Sequence, residues 1–291
     1  MRELKILAVV AFFTGVLYWG VEPFAHTQLH PHVEAPEYSF SDADGLKGVQ
    51  GDATKGAELV SSNCIACHAI EKAGFPAMMD NVSSAASYGV VPPDLGSAGH
   101  LYNADYLAAF IKDPAKAAKV EHKFADGSAA HPMPAYNWMA DQDIADMVAY
   151  LISIAPKEMT NKEVFSDACQ RCHSIKYGDF YGGSMAAFTP DANIKTYMGT
   201  NPPDLSQYIR SRSVGYLHEF INDPQKHLHG TSMPRVGLTQ ASEDQVVAYM
   251  TEVGDSKKPQ REALSAPFLG YLVIFALFAW LWKAKIWREV H

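Results

Sequence analysis

Apolar residues are distributed along this chain in two different ways. Leu4 to Val21 is eighteen residues interrupted only by Lys5, and Leu264 to Trp282 is nineteen residues without a charge. Each is long enough to cross a bilayer core as a helix, and Tyr271, Trp280, Trp282 and Trp287 supply rings for an interfacial belt. Between these runs the apolar positions recur at three- and four-residue spacing, interleaved with charge. Asp141 to Ile154 carries Ile144, Met147, Val148, Leu151 and Ile152 on one face, with Asp141, Asp143 and Asp146 in the early turns where a helix dipole favours acids. Glu243 to Val253 follows the same rule. Asp105 to Lys112 presents Leu107, Phe110 and Ile111 and stops before Pro114, and Gly56 to Cys67 reads as a further helix. No stretch alternates as a strand does, so the pattern predicts an all-α chain, small helical modules between two transmembrane helices.

The middle of the chain is duplicated. Gly56-Ala57-Glu58-Leu59-Val60, Cys64-Ile65-Ala66-Cys67-His68, Pro92-Pro93-Asp94-Leu95, Tyr106-Leu107, Phe110-Ile111, Asp113-Pro114, Met133-Pro134 and Val148-Ala149-Tyr150-Leu151 form the first copy. The second runs Lys162-Glu163-Val164-Phe165, Cys169-Gln170-Arg171-Cys172-His173, Pro202-Pro203-Asp204-Leu205, Tyr216-Leu217, Phe220-Ile221, Asp223-Pro224, Met233-Pro234 and Val247-Ala248-Tyr249-Met250. The offset drifts from 105 to 110 and back to 99, so length changes fall in loops while the motifs keep their order. The chain divides into an N-terminal anchor (1–24), a linker (25–51), a first domain (52–155), a second domain (156–254) with 155–161 as the joint, a second linker (255–263), and a C-terminal anchor with its tip (264–291).

All four cysteines of the 291-residue chain lie in the two Cys-x-x-Cys-His motifs, which leaves none for a structural disulfide or a nucleophile. In this motif two thiols form thioethers to haem vinyl groups and the adjacent imidazole reaches the iron, so Cys64, Cys67, Cys169 and Cys172 are read as attachment sites for two haem c groups. His68 and His173 are the proximal iron ligands. Zinc would need a second Cys or His pair in each unit, which is missing. For the other axial position the chain offers eleven methionines and ten further histidines, but only Met133 and Met233 occupy matching places in both copies, each before a proline. A methionine opposite a histidine raises the reduction potential, as electron-transfer cytochromes require. His131 is the rival to Met133, while Met78, Met79, Met185 and Met198 fall in insertions and read as packing. The Pro-Pro pairs can offer a carbonyl to the second nitrogen of each proximal imidazole, or simply turn the chain. Leu95, Leu205, Tyr106, Tyr216, Phe110 and Phe220 read as packing around the porphyrin. With both axial positions filled no open site remains for a substrate, so no catalytic residue is assigned. His26, His30 and His32 read as a loop beside the membrane.

Charge adds orientation. Arg2 and Lys5 flank one span and Lys283, Lys285 and Arg288 the other, so both tips are expected on the cytoplasmic side and residues 25 to 262 outside it, where bacteria attach haem c. The rival for the first span is a secretory signal peptide, but no small-residue cleavage site is evident after it. The net charge is -8, and setting aside residues 1–24 and 264–291 leaves 19 basic against 29 acidic residues. An acidic middle argues against nucleic acid and suits a basic protein partner, though ordinary solubility charge explains it equally.

With these residues in view, residues 52 to 254 resemble two class I cytochrome c domains in tandem. More narrowly, the two haem motifs with the N-terminal Tyr18-Trp19-Gly20-Val21-Glu22-Pro23 span and the C-terminal anchor resemble the dihaem cytochrome c subunit of epsilonproteobacterial quinol–cytochrome c reductases, complex III. The resemblance implies a periplasmic dihaem unit on the inner membrane, in a dimeric complex. It also implies electrons arriving from a Rieske iron–sulfur protein and leaving to a soluble cytochrome c or terminal oxidase, with a cytochrome b subunit alongside. Three alternatives stay open: the dihaem subunit of a cbb-type oxidase, whose topology usually lacks a C-terminal span; a free-standing tethered shuttle; and a dihaem peroxidase.

Overall fold

The computed structural model describes residues 2–29, 35–127, 130–180 and 191–290. At the N-terminus α1 (Arg2–Val16) passes through a π-helical turn, Leu17–Val21, into α2 (Glu22–Leu29). Pro23 has no amide hydrogen for the preceding turn and its ring crowds it, and one wide turn accommodates both defects. The first central unit holds α3 (Ala53–Asn63), α4 (Asn81–Tyr88), α5 (Ala98–Leu101), α6 (Ala104–Lys112), α7 (Pro114–Ala117) and α8 (Asp141–Ile154). The second holds α9 (Asn161–Cys169), α10 (Asp191–Met198), α11 (Tyr208–Ser211), α12 (Val214–Asn222), α13 (Pro224–His227) and α14 (Gln240–Gly254), and α15 (Lys258–Val290) ends the chain. Among the described residues there are isolated β-bridges but no strand, so the chain is all-α.

Side-chain caps set several of the helix starts. Asp52 accepts from the Thr54 amide at α3, Asn103 from Tyr106 at α6, Ser213 from Tyr216 at α12 and Thr239 from Ser242 at α14. Thr160 and Glu163 form a reciprocal capping box at α9. One boundary differs from expectation: α3 begins before Gly56 and ends at Asn63, leaving the first haem motif on the turn that follows.

In each unit the first helix crosses the last. Between α3 and α8 the contact is backbone on backbone, since a Cβ on Gly56 would stand 1.9 Å from the Asp146 carbonyl oxygen. Asn161 takes the place of Gly56 in the second unit, where its amide donates to Glu252 at 2.7 Å. The room between α9 and α14 is filled by Phe165, whose ring lies 5.1 Å from Tyr249 and 6.3 Å from Phe180. Val60, Ile70, Leu107, Ile111, Ile144, Met147 and Val148 form the first core, and Val164, Phe165, Ile175, Leu217, Ile221, Val246 and Met250 form the second.

The two units share an interior. Leu101, from the first unit, belongs to the second unit's core, and Tyr102 packs against both. Residues 101–103 pair with 237–239: the Asn103 amide donates to Gly237 O at 3.0 Å and the Thr239 amide to Leu101 O at 2.9 Å. The stretch 35–51, read from sequence as plain linker, is a strap over this seam. Phe40 is 1% exposed and forms a third core with Tyr106, Ala109 and Ala117. Tyr38 donates to Glu243 at 2.6 Å, Asn222 to Glu37 O at 3.2 Å and the Leu46 amide to Asp105 at 2.8 Å, so the strap touches both units.

Among the described residues two helices are long and apolar enough to cross a membrane, Arg2–Gln28 with 27 residues and Lys258–Arg288 with 31. At 1.5 Å per residue they extend about 40 and 46 Å, against a bilayer core of about 30 Å. Lys283 pairs with Glu3 at 3.0 Å, which sets these ends of the two helices side by side. Most of the expected second linker is already α15, joined to α14 by Asp255–Lys257, with Arg261 gripping Asp255 through two bonds of 3.0 and 2.8 Å.

Candidate haem-binding sites

Cys64 caps α3, and the next amides fold back on it: Cys67 N donates to Cys64 O at 3.1 Å and His68 N to the same oxygen at 2.9 Å. The second unit repeats this turn, with Cys172 N and His173 N reaching Cys169 O at 3.2 and 2.9 Å. Residues three and four apart on one turn face the same way, so two thiols and an imidazole project together. This is the physical content of the motif spacing.

Each Pro-Pro-Asp-Leu motif closes its site from the other side. His68 Nδ1 lies 2.8 Å from Pro93 O and His173 Nδ1 lies 2.9 Å from Pro203 O. A carbonyl only accepts, so Nδ1 carries the proton and Nε2 keeps its lone pair for a metal. Burial lowers the pKa of both histidines, outweighing the carbonyl bonds that act the other way, which keeps them neutral. The aspartate then ties the motif to the loop after the histidine: Asp94 accepts from Glu71 N at 3.0 Å and Asp204 from Lys176 N at 3.1 Å. Leu95 N and Leu205 N bond to Ala69 O and Ser174 O. The carbonyl role anticipated for the prolines is therefore realised in both copies, while the aspartate's role was not foreseen.

Met133 packs in the first unit's core together with Cys64, Ile65, Leu95 and Tyr136. His131 stays beside the methionine backbone, Nδ1 lying 3.2 Å from Met133 N and 3.1 Å from Met133 O. In the second unit Thr231 takes the place of His131, its hydroxyl accepting the Met233 amide at 3.3 Å, and Met233 is partly buried. Of the insertion methionines, Met198 is buried and Met78 is exposed. Met185, His30 and His32 lie outside the described residues.

The donors fit covalent haem in kind. Burial, the larger cause, and the paired Cys67 thiol push the Cys64 thiol up to about 11, and burial pushes Cys169 up to about 12, so these are not activated nucleophiles. Arg171, inside the second motif, has a buried Nε with no hydrogen-bond partner among the described residues. Sequence reasoning missed three neighbours, Tyr88 at Cys67 and the pair Lys123 and Tyr197 near Cys172. The Tyr88 hydroxyl lies 3.6 Å from Cys67 Sγ, and Lys123 sits 4.7 Å over the Tyr197 ring while donating to Tyr197 O at 2.9 Å. Tyr88 and Tyr197 stand four and five residues before the Pro-Pro pairs, a repeat signal that could have found them.

A family model agrees with this geometry. The sequence model described as "Cytochrome c" matches residues 53–155 and again 160–254. Among solved structures the chain is similar to "Hyperthermophilic respiratory Complex III", with 21% identity over 98% of this chain and 99% of that chain and a TM-score of 0.33. No curated protein matches the chain significantly. Two family matches span more than half of the chain, and each encloses one thiol–thiol–imidazole turn with its ring held by a proline carbonyl; the chain belongs to the cytochrome c family, whose domains carry covalent haem c and transfer single electrons.

Proposed function

We propose that this chain is a membrane-anchored dihaem cytochrome c and the electron-transfer subunit of a quinol–cytochrome c reductase. Cys64, Cys67 and His68 hold one haem c with Met133 opposite the histidine, and Cys169, Cys172, His173 and Met233 hold the other. Bound there, each haem supplies an iron that takes up and releases one electron. The chain's own part is to hold each imidazole by its carbonyl, exclude water with the two cores, and raise the potential through a thioether ligand. Electrons arrive from a Rieske iron–sulfur protein and leave to a soluble cytochrome c or terminal oxidase, within a dimeric assembly containing cytochrome b. The haem domains face the periplasm and both termini the cytoplasm of a bacterial inner membrane.

The observation that carries this reading over a cbb-type oxidase subunit is the pair of terminal helices. The C-terminal one is tied to α14 through Arg261 and Asp255 and meets the N-terminal one at Glu3 and Lys283. The test is purification in mild detergent with identification of companions. A Rieske protein and cytochrome b are expected, and haem–copper subunits would refute the assignment. Met133→Ala and Met233→Ala should each abolish methionine ligation at one haem, and an unchanged spectrum in either refutes that ligand.

A further inference from the structure

The loops that carry the two methionines are held in different ways. After Met133 the chain is anchored inside its own unit: Tyr136 N donates to Ile111 O at 3.1 Å and the Tyr136 hydroxyl to Asn63 O at 3.0 Å. After Met233 the anchors come mostly from the other unit. Arg235 N donates to Ala118 O at 2.9 Å, Arg235 O accepts the Tyr106 hydroxyl at 2.5 Å, and Gly237 O accepts the Asn103 amide at 3.0 Å. Gly237 has φ of 73°, and a Cβ there would stand 1.9 Å from the Tyr106 ring, so the loop lies directly on that side chain.

Arg235 is the centre of this attachment. Its side chain is 6% exposed, its Nε donates to Asn222 O at 3.2 Å, and its Nη1 reaches both oxygens of Asp42 at 2.8 and 3.0 Å. Phe40 lies beneath it, ring to guanidinium at 5.1 Å. Lys119 bridges Asp42 at 3.0 Å and Asp223 at 2.6 Å, so two cations and two carboxylates close a neutral cluster of strap, first unit and second unit. The corresponding residue of the first copy is Ala135, so the charged anchor exists only in the second.

We infer that Arg235, Asp42 and Tyr106 are positioning residues for Met233, so that the strap and the first domain hold the axial ligand of the second domain's haem. This rests on Met233 being that ligand. Only Pro234 separates Met233 from Arg235, and its ring restricts one of the two soft torsions there, so a shift of Arg235 is passed to the thioether. Removing the Asp42 charge leaves a buried guanidinium short of its main partner, a strong incentive for the loop to move.

The test uses the full haem-loaded chain in detergent, read by the methionine–iron charge-transfer absorption of the oxidised protein and by potentiometric titration. Met233→Ala and Met133→Ala define the contribution of each domain to both signals. Asp42→Asn and Tyr106→Phe are expected to diminish the part of the band lost in Met233→Ala and to lower the same haem's potential, leaving the Met133 part intact. A band lost in Met233→Ala but retained, with its potential, in both Asp42→Asn and Tyr106→Phe overturns the inference alone. An unchanged band in Met233→Ala overturns the ligand assignment and the inference with it. Should Asp42→Asn fail to fold, Tyr106→Phe, which removes a single hydroxyl, decides.

Discussion

Gly56→Ala and Gly215→Ala are the same chemical change inside a helix, and the structure assigns them opposite signs. On propensity alone, alanine in place of glycine stabilises a helix interior by about 0.5–1 kcal/mol. At Gly215, in α12, the residue is exposed and a new Cβ meets nothing within 4 Å, so only that gain operates, reduced because the site is in the first turn. At Gly56 the Cβ would stand 1.9 Å from Asp146 O and 2.8 Å from Tyr150 Cβ, whereas real Cβ contacts are essentially never under 3.0 Å. α3 and α8 must therefore separate by about 1 Å or more, which costs about 1–3 kcal/mol as overpacking. The same separation opens a gap along Val60, Ile144, Met147 and Val148, and a gap of 0.5–1 Å forfeits about a quarter to a half of each contact's attraction. The clash outweighs the propensity gain, and Gly56→Ala is expected to lose about 2 kcal/mol. Denaturant unfolding of the full chain in detergent, followed by far-ultraviolet dichroism and by haem absorption, measures both variants against the parent. A Gly56→Ala protein as stable as the parent would refute the close-crossing argument.

Phe165→Ala empties the centre of the second core between Tyr249 and Phe180, with an expected loss of about 3–5 kcal/mol in the same unfolding assay. Thr160→Ala removes the capping box of α9, and about 1 kcal/mol should go with it; a change below a few tenths would show that the cap is replaced by solvent. The half-buried cluster of Tyr38 and His218 on the buried Glu243, with the exposed Asp244 alongside, makes stability depend on pH. The hydrogen bond to Glu243, the larger cause, raises the His218 pKa against the opposing effect of burial, and burial raises that of Glu243. Both groups then hold protons more tightly in the folded chain than in the unfolded one. The His218 contribution is fully present below the ordinary histidine value of about 6.5 and is lost as pH rises through the raised one. Denaturation midpoints measured from pH 6 to 9 should fall, and the fall should shrink in His218→Gln; an identical slope in both proteins would show that this cluster does not titrate.

Much of the molecule is local, and what is local was readable in the chain. Two apolar runs, the helical spacing from Asp141 to Ile154 and the order of motifs in two copies determine the all-α tandem architecture, because a spanning length, a one-faced helix and a repeated motif are each written in consecutive residues. The Cys-x-x-Cys-His spacing determines which side chains share a turn, since a turn closes within five residues. Tertiary structure alone decided how the copies meet. Nothing in residues 35–51 announces that Phe40 is buried or that Asp42 faces Arg235, since those partners lie 193 residues away in sequence for the ion pair and come together only when both units have folded. The same holds for Asp94 and Asp204, which look like surface acids until the loop amides they cap are in place. Repeat symmetry implied two equivalent methionine loops, but a duplicated sequence folds into one body with a single seam. The second loop lies on that seam and the first does not, so equal motifs end in unequal surroundings.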